Sequence, residues 1–218
     1  MIFQSASAKR AEIPNLLDSL KPDVILGTET WLDPSISSSE ILPRLYNVYR
    51  KDRGGKGGGV LIAVHNTLDS SAAPELEVED CELLWVRVKL KGRCTFYLCA
   101  YYRPNVANET SLRKLGQTLE RASQLPKAHL LIGGDFNFPG WDWQTTTPTL
   151  KPRAPYPGLH HDFHDLINDH GLQQLVWEPT REDNTLDLYK QTAHSSSPGQ
   201  KSYPVSYTHL TLPTNIAV

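Results

Sequence analysis

The most informative segment of this sequence is Leu130-Leu131-Ile132-Gly133-Gly134-Asp135-Phe136-Asn137. A short apolar run, typical of a buried strand, ends at two glycines, which allow a tight backbone conformation and the close approach of a ligand. Because residues two apart on a strand point the same way, Asp135 and Asn137 are expected to face one side together. The segment alone fits two interpretations: a metal and phosphate site at a strand end, or an ordinary Asp/Asn turn.

The apolar pattern around this segment predicts a mixture of helices and strands. Helical spacing marks residues 13–20, 112–122 and 163–167, with Gly171 as a cap after the third helix. Strands are predicted at 23–29, 46–50, 60–64, 84–90, 95–101, 130–135, 175–176 and 185–189. Residues 139–157 are rich in Pro, Thr and Trp, which predicts a long surface loop. The pattern indicates an α/β protein with two packed sheets and helices outside them.

Composition limits the class of protein. The 218 residues are 39% hydrophobic and 21% charged, as in a globular domain, and no apolar run approaches the ~20 residues of a membrane span. A net charge of -2 argues against a protein that coats nucleic acid by charge alone, yet it allows a nuclease whose carboxylates bind a metal. Three cysteines without metal-type spacing predict reduced packing residues in an intracellular protein. We therefore expect no membrane partner.

Three more polar motifs follow predicted strands. Glu29 lies in Gly-Thr-Glu-Thr-Trp, Tyr102 begins Tyr-Arg-Pro, and Asp187 lies in Asn-Thr-Leu-Asp-Leu. Taken singly, these residues are also explained as a solvated carboxylate, a packing aromatic and a chance pattern. In this order, with Gly-Gly-Asp-Phe-Asn between them, they resemble the endonuclease/exonuclease/phosphatase superfamily, and most of all the endonuclease domain of non-LTR retrotransposons. The resemblance covers residues 4–189.

The resemblance implies a fold and the first half of a catalytic site. The fold is a four-layer α/β sandwich, in which two facing mixed β-sheets are flanked by helices and the site lies at one end of the sheets. Glu29 is implied as the ligand of Mg²⁺, or of Mn²⁺, since such hard ions prefer oxygen ligands. Asp135 and Asn137 are implied as catalytic groups that orient the attacking water and hold the scissile phosphate, with Asn137 also binding substrate.

The remaining implied residues complete a phosphodiesterase site. Tyr102 would donate a hydrogen bond to a phosphate oxygen, Arg103 would bind substrate, and Asp187 would orient a catalytic histidine. The implied reaction is hydrolysis of the phosphodiester backbone of DNA, which leaves a 3′-hydroxyl to prime reverse transcription. We therefore expect DNA as the partner, a reverse transcriptase domain in the parent polyprotein, and a nuclear location without a visible targeting signal.

Two parts of the family pattern are absent from the sequence. The family begins with a strand that carries an asparagine, but Ile2 occupies that position, so we expect a truncated or replaced first strand. The family ends with Ser-Asp-His, and no such tripeptide follows Asp187. We assign residues 1–189 to the domain, with its last strands missing, and residues 190–218 to an unrelated, disordered or artefactual tail. The expected consequence is impaired or abolished turnover.

Alternatives to an endonuclease remain open at this point. A superfamily phosphatase acting on a small phosphoester would use the same Glu, Asp and Asn, and a retroelement relic would keep the fold without turnover. The histidine-rich run at residues 160–164 suggests zinc, but a solvated helix start is the favoured interpretation. The glycine-rich segment 54–59 is expected to connect two strands of a hairpin. Trp141 and Trp143 would either pack against a nucleotide or cover the core.

Overall fold

Helices and short strands alternate along the chain in the computed structural model, which describes residues 2–4, 13–54, 57–90, 94–143, 148–176 and 187–192. The helices are α1 (Ile13–Leu20), α2 (Glu109–Ser123) and α3 (Pro157–Asp169). The strands are β1 (Ile2–Gln4), β2 (Val24–Thr28), β3 (Tyr46–Lys51), β4 (Val60–His65), β5 (Asp69–Ala72), β6 (Glu82–Leu90), β7 (Cys94–Tyr102), β8 (Ala128–Asp135), β9 (Trp141–Asp142), β10 (Thr149–Leu150), β11 (Leu172–Gln174) and β12 (Asp187–Thr192). Short 3-10 turns cover Ser38–Glu40 and Pro74–Leu76.

The strands form two main sheets and one small ribbon. The first sheet has the order β1-β2-β4-β3, the second has the order β11-β12-β8-β7-β6-β5, and β9 pairs with β10. Both main sheets are mixed, because β1 runs parallel to β2 and β7 runs parallel to β8, while the other described pairs are antiparallel. The parallel pairs place the carboxyl ends of β7 and β8 at the same edge of the second sheet.

Three apolar clusters hold the layers together. Leu26 and Ile62 of the first sheet pack against Val86 and Leu98 of the second sheet. The outer face of the first sheet is covered by α1 and its neighbouring loops. The outer face of the second sheet is covered by α2 and α3, with Trp85 in the centre of that cluster. The fold is thus a four-layer α/β sandwich, as the sequence predicts.

The apolar run of β4 shows why the central layers need continuous hydrophobic strands. Val60, Ile62 and Val64 face the other sheet, whereas Leu61 and Ala63 face α1, so that both sides of this strand are buried. At roughly 25 cal/mol per Å² of apolar surface removed from water, burial on both faces is what stabilises such a strand. The predicted connection at residues 54–59 joins β3 to β4, and these two strands pair antiparallel.

Several elements differ from the sequence predictions. The sequence predicts that the strand at 84–90 is half-buried, but β6 is buried on both faces around Trp85. The indole Nε1 of Trp85 lies under α2 and donates to Thr118 Oγ1 at 2.8 Å. The predicted loop at 139–157 contains the β9–β10 ribbon, and β11 ends at Gln174, before the strand predicted at 175–176. β5 was not predicted, because Asp-Ser-Ser-Ala carries no apolar alternation.

Both ends of the domain form strands in the described ranges. The first strand, expected to be truncated or replaced, is the three-residue β1, and its Ile2 pairs with Leu26. The strand predicted at 185–189 is β12, which extends to Thr192 and lies between β8 and β11. Residues 190–192 of the tail predicted at 190–218 belong to β12, and residues 193–218 lie outside the described residues. In the part of the chain that the structure describes, no helix is long and apolar enough to cross a membrane.

Candidate active site

Polar residues from both sheets meet at one edge of the sandwich. β7 ends at Tyr102 and β8 ends at Asp135, and these two residues are direct register partners. β12 begins at Asp187, which stands directly opposite Asp135 in the antiparallel register. Glu29 follows the end of β2 in the facing sheet. The structure therefore brings four of the predicted site residues to one location, although they are far apart in the sequence.

The two sheets are joined at this edge by a hydrogen bond between Tyr102 and Glu29. The Tyr102 hydroxyl donates to Glu29 Oε1 at 2.5 Å, and the tyrosine is 6% exposed. Burial raises the pKa of Tyr102 above its usual range, and the carboxylates of Glu29, Asp135 and Glu82 raise this pKa further. The hydroxyl therefore stays a hydrogen-bond donor at neutral pH. A phosphate oxygen that accepted this proton would compete with Glu29 for it.

Asp135 and Asn137 are linked by a turn, which corrects the expectation that both extend from a strand. Asp135 is 1% exposed, and its Oδ1 accepts a hydrogen bond from the Asn137 main-chain N–H at 3.0 Å. β8 ends at Asp135, and Asn137 has a left-handed backbone with φ 54°. The same-side rule for alternate strand residues does not apply to such a turn. The Asp/Asn turn of the second sequence interpretation is present, and it lies at the strand end where the first interpretation predicts a site.

Asn137 is positioned by the segment that follows β7. Its Nδ2 donates to the carbonyl oxygen of Arg103 at 3.2 Å and to that of Pro104 at 3.4 Å. These contacts orient the carboxamide beside Asp135. A phosphate accepts hydrogen bonds, so the carboxamide oxygen of Asn137 cannot bind one. The carboxamide nitrogen would bind it instead, and its two protons would then be shared between the two carbonyl oxygens and the phosphate.

The prediction that Arg103 contacts substrate does not agree with the structure. The side chain is fully buried, and its guanidinium donates to the carbonyl oxygens of Val106, Asn108, Phe136 and Asn137. The guanidinium also lies 3.9 Å above the ring of Phe138. Because its donors are used by main-chain acceptors, Arg103 holds together the two loops that follow β7 and β8. It is a positioning residue.

Gly134 allows β8 to lie beside β7 just before the site. Its φ is +144°, and a Cβ added to it would lie 1.9 Å from the carbonyl oxygen of Tyr101. This contact is with main chain, so a side chain at position 134 cannot be accommodated by a rotamer change. The glycine was predicted to admit a ligand, whereas in the structure its role is to admit the neighbouring strand.

Glu82 is a site residue that the sequence analysis missed. It begins β6, stands opposite Tyr102 in the register, and its Oε2 accepts a hydrogen bond from the Gly59 N–H at 2.6 Å. Gly59 in turn accepts a hydrogen bond from the Thr30 N–H at 3.2 Å. Glu82 therefore supports the segment that carries Glu29. The sequence contains a signal that places Glu82 at the site: a hairpin centred on Gly92 pairs residue 82 with residue 102.

The first residue of the histidine-rich run belongs to the core, whereas His161 is exposed and His164 is partly exposed. His160 is fully buried, its Nε2 accepts a hydrogen bond from the Gly140 N–H at 3.0 Å, and burial lowers its pKa. The expectation of a solvated helix start is wrong for this residue. Trp141 and Trp143 are buried in the cluster beneath α3, so they cover the core. Within the described ranges, no three His, Cys, Asp or Glu residues form a group that would hold a metal.

A hard divalent cation nevertheless fits the charges at the site edge. Mg²⁺ is usually held by one or two protein carboxylates together with water and substrate phosphate, so a cluster of three protein ligands is not required. Burial is the main reason for the raised pKa of Tyr102, and the carboxylates of Glu29, Asp135 and Glu82 raise this pKa further, so three acidic groups lie near its hydroxyl. Carboxylate oxygens such as those of Glu29, the predicted ligand, are what such an ion prefers.

Residues 3–197 match the model of the Endonuclease/Exonuclease/phosphatase family. The chain belongs to this family. The match confirms the resemblance found in the sequence motifs, and it extends past residue 189. A search of curated protein sequences finds no significant match.

Several solved structures share this fold. The endonuclease domain of TRAS1, a telomere-specific non-LTR retrotransposon, has a TM-score of 0.61 and 18% identity, covering 88% of this chain and 83% of that one. The human Nocturnin catalytic domain with bound sulfate has a TM-score of 0.60 and 14% identity, over 88% and 79% of the two chains. The 3′ phosphatase NExo from Neisseria, bound to a product DNA hairpin, has a TM-score of 0.60 and 13% identity, over 88% and 85%. Family membership supports a phosphodiesterase type of activity, and the likeness to these structures supports the fold.

Proposed function

We propose that this chain is a metal-dependent DNA endonuclease domain of the kind that nicks a target site for retrotransposition. The observation that carries the proposal is the meeting of Glu29, Tyr102 and Asp135, in which a 2.5 Å hydrogen bond joins residues of two facing sheets. The structural likeness to the TRAS1 endonuclease domain supports the retrotransposon type. In this proposal the parent polyprotein carries a reverse transcriptase domain and acts on DNA in the nucleus.

The residues at the edge have separable chemical tasks. Glu29 would hold Mg²⁺ or Mn²⁺, which when bound supplies positive charge that stabilises the phosphate in the transition state. Asp135, whose Oδ1 accepts a hydrogen bond from the Asn137 N–H, would orient the attacking water. Tyr102, kept protonated by its raised pKa, donates a hydrogen bond to the phosphate as negative charge develops there.

We further propose that turnover by this 218-residue polypeptide is slow. Asp187 lies opposite Asp135, where a carboxylate would support a catalytic histidine, but the sequence contains no Ser-Asp-His after it. Loss of a general acid or base typically reduces a rate by about 10²–10⁴-fold. The metal and the Tyr102 hydroxyl remain to support the residual reaction.

Nicking of a supercoiled plasmid tests this proposal. With Mg²⁺ we expect slow conversion to the open circle, which stops with EDTA or with Asp135→Ala but continues in the control Asp18→Ala, an exposed carboxylate of α1. Nicking as fast as that of the TRAS1 endonuclease domain would contradict the proposed impairment. Nicking that ignores both Asp135→Ala and EDTA would contradict the proposed site.

A phosphatase function is the second candidate, and the likeness to the 3′ phosphatase NExo favours it. Such an enzyme would use the same carboxylates at the same edge. Parallel assays with a supercoiled plasmid and with a small phosphoester, each repeated with Asp135→Ala, separate the two activities. Release of phosphate without plasmid nicking would replace the endonuclease proposal, and DNA binding without either reaction would indicate a non-catalytic relic.

A further inference from the structure

Trp31 presents a large aromatic surface next to the candidate active site. It lies two residues after Glu29 and is 48% exposed, whereas Trp85, Trp141 and Trp143 are buried. Its backbone has φ 54°, a left-handed conformation that is unfavourable for a bulky side chain. Such strain persists only where the surrounding structure enforces it, and it is concentrated at functional sites.

The backbone of Trp31 is held by the connection between β3 and β4. The Trp31 N–H donates to the carbonyl oxygen of Gly58 at 3.1 Å, and the preceding Thr30 is fully buried. A Cβ added to Gly57 would lie 3.9 Å from Trp31 Nε1, so one edge of the indole runs along this glycine. The ring is thereby positioned, while about half of the residue remains open to solvent.

A cation lies beside the same glycines. A Cβ added to Gly58 would meet the Cδ of Arg53, so the Arg53 side chain packs along the connection that also contacts the indole. The Arg53 side chain is 48% exposed, and its Nε lies 3.5 Å from Glu82 Oε1. An exposed aromatic face with an adjacent arginine is a combination that suits a nucleobase and its phosphate.

We propose that Trp31 stacks on an unstacked nucleobase next to the scissile phosphate, and that Arg53 contacts the neighbouring phosphate. This inference rests on the proposed DNA endonuclease function and adds a preference to it. Bases inside an intact duplex are stacked on both faces, so an aromatic side chain can stack on one only where the duplex is open or distorted. The site therefore prefers single-stranded or locally unpaired DNA over intact duplex.

Binding without turnover tests the inference. Fluorescence anisotropy in EDTA, with a labelled 12-nucleotide single strand and the matching duplex as probes, measures affinity for each. We expect tighter binding of the single strand, about tenfold weaker binding for Trp31→Ala, and nearly unchanged binding for Trp31→Phe, which keeps an aromatic face. Leu45→Ala is the matched control, since Leu45 is 55% exposed but precedes β3 at the opposite edge of the sheet. It should bind like the unaltered chain.

Tryptophan fluorescence gives a second measurement that does not depend on the alanine variant folding. The chain has a fifth tryptophan, Trp177, outside the described residues, so the measurement uses a Trp177→Phe background. In this background, addition of the single strand should quench the emission of Trp31, and Trp31→Phe should remove most of this quenching. Equal affinity of Trp31→Ala and the unaltered chain, or no quenching, would overturn the inference while leaving the endonuclease proposal intact. Absence of single-strand binding by the unaltered chain in EDTA would overturn the inference, whereas the endonuclease proposal stands or falls with the plasmid assay in Mg²⁺.

Discussion

Arg103 and Asn137 position each other at the site through reciprocal contacts. Arg103 Nη1 donates to the Asn137 carbonyl oxygen at 3.1 Å, and Asn137 Nδ2 donates back to the Arg103 carbonyl oxygen at 3.2 Å. The planar guanidinium also bonds to the carbonyl oxygens of Val106 and Asn108. One buried side chain thus donates to main-chain acceptors of two loops. The arginine of the Tyr-Arg-Pro motif therefore positions the two loops of the site from its buried location.

Replacing Arg103 with lysine should therefore weaken folding as well as activity. Lysine has three donors without the planar fork, so some of the buried carbonyls lose their partner, and we expect the free energy of unfolding to fall by about 2–4 kcal/mol. Urea unfolding followed by circular dichroism measures this change. Arg113→Lys, on the exposed face of α2, is the control and should change stability by about 0.5 kcal/mol or less. Equal stability of the two variants would contradict the positioning role.

Single residues differ in how far their roles can be predicted. Glu29, Tyr102 and Asp135 are recognisable because each stands at the end of an apolar strand, where local pattern and location agree. The burial of Arg103 is not recognisable, because it depends on Phe138 and on carbonyls more than thirty residues away. The orientation of Asn137 also depends on a turn geometry that strand periodicity cannot describe.

The close pairing of β7 and β8 depends on Gly134. We expect Gly134→Ala to lower the free energy of unfolding by about 3 kcal/mol or more, because the new methyl group would overlap the Tyr101 carbonyl and the backbone conformation is unfavourable for alanine. Chemical denaturation measures the loss. Gly158→Ala is the matched control in α3, where nothing lies within 4 Å, and it should be neutral or stabilise by up to about 1 kcal/mol. A mild effect at position 134 would contradict the strand geometry.

The connection between β3 and β4 links β6 to the end of β2, because Gly59 donates to Glu82 of β6 and accepts from the Thr30 N–H after β2. Glu82→Ala removes the acceptor of the Gly59 N–H, so we expect this amide to exchange with deuterium about tenfold faster or more, and residual nicking to fall. Glu82→Gln keeps an oxygen acceptor and should restore much of the protection. Glu77→Ala is the control, because it removes the 3.6 Å ion pair with Lys51 but leaves Gly59 bonded. Unchanged exchange at Gly59 in Glu82→Ala would contradict this role.

Elements with a continuous or periodic apolar pattern are predictable, and short polar ones are not. The helices and the strands β2, β3, β4, β7 and β8 follow their expected positions because their side chains fill a core. β5 pairs with β6 through main-chain hydrogen bonds and carries the polar sequence Asp-Ser-Ser-Ala, which has no apolar face to detect. β6 was assigned a solvated face, although Trp85 on that face is covered by α2, which follows later in the chain.

The order of strands in the second sheet shows how the whole molecule completes the site. β12 enters between β11 and β8, and this insertion sets Asp187 beside Asp135. Without β12, β8 would present an unpaired edge in the middle of the sheet, and exposed edges of this kind promote aggregation. The last described strand therefore contributes to folding as well as to the site.

Two truncations test the contribution of β12. A chain ending at residue 197, where the family match ends, should unfold with the free energy of the full chain to within about 0.5 kcal/mol, because residues 198–218 belong to the tail predicted at 190–218 and lie beyond the family match. A chain ending at residue 186 lacks β12 and should aggregate or lose cooperative unfolding. Urea unfolding and size-exclusion chromatography measure both outcomes. A stable chain ending at residue 186 would contradict the role of β12, and an unstable chain ending at residue 197 would contradict the predicted tail.

The sequence by itself determined the class of fold, because burial in a sheet requires apolar periodicity. The resemblance of its motifs to the family singled out the residues of the candidate site, which stand where that periodicity stops. Only the tertiary structure decided how these residues act on one another. The Tyr102–Glu29 hydrogen bond, the buried Arg103, the support from Glu82 and the exposure of Trp31 all join segments distant in the chain. Such contacts arise because two sheets pack together, and the pattern of apolar residues within one segment does not predict them.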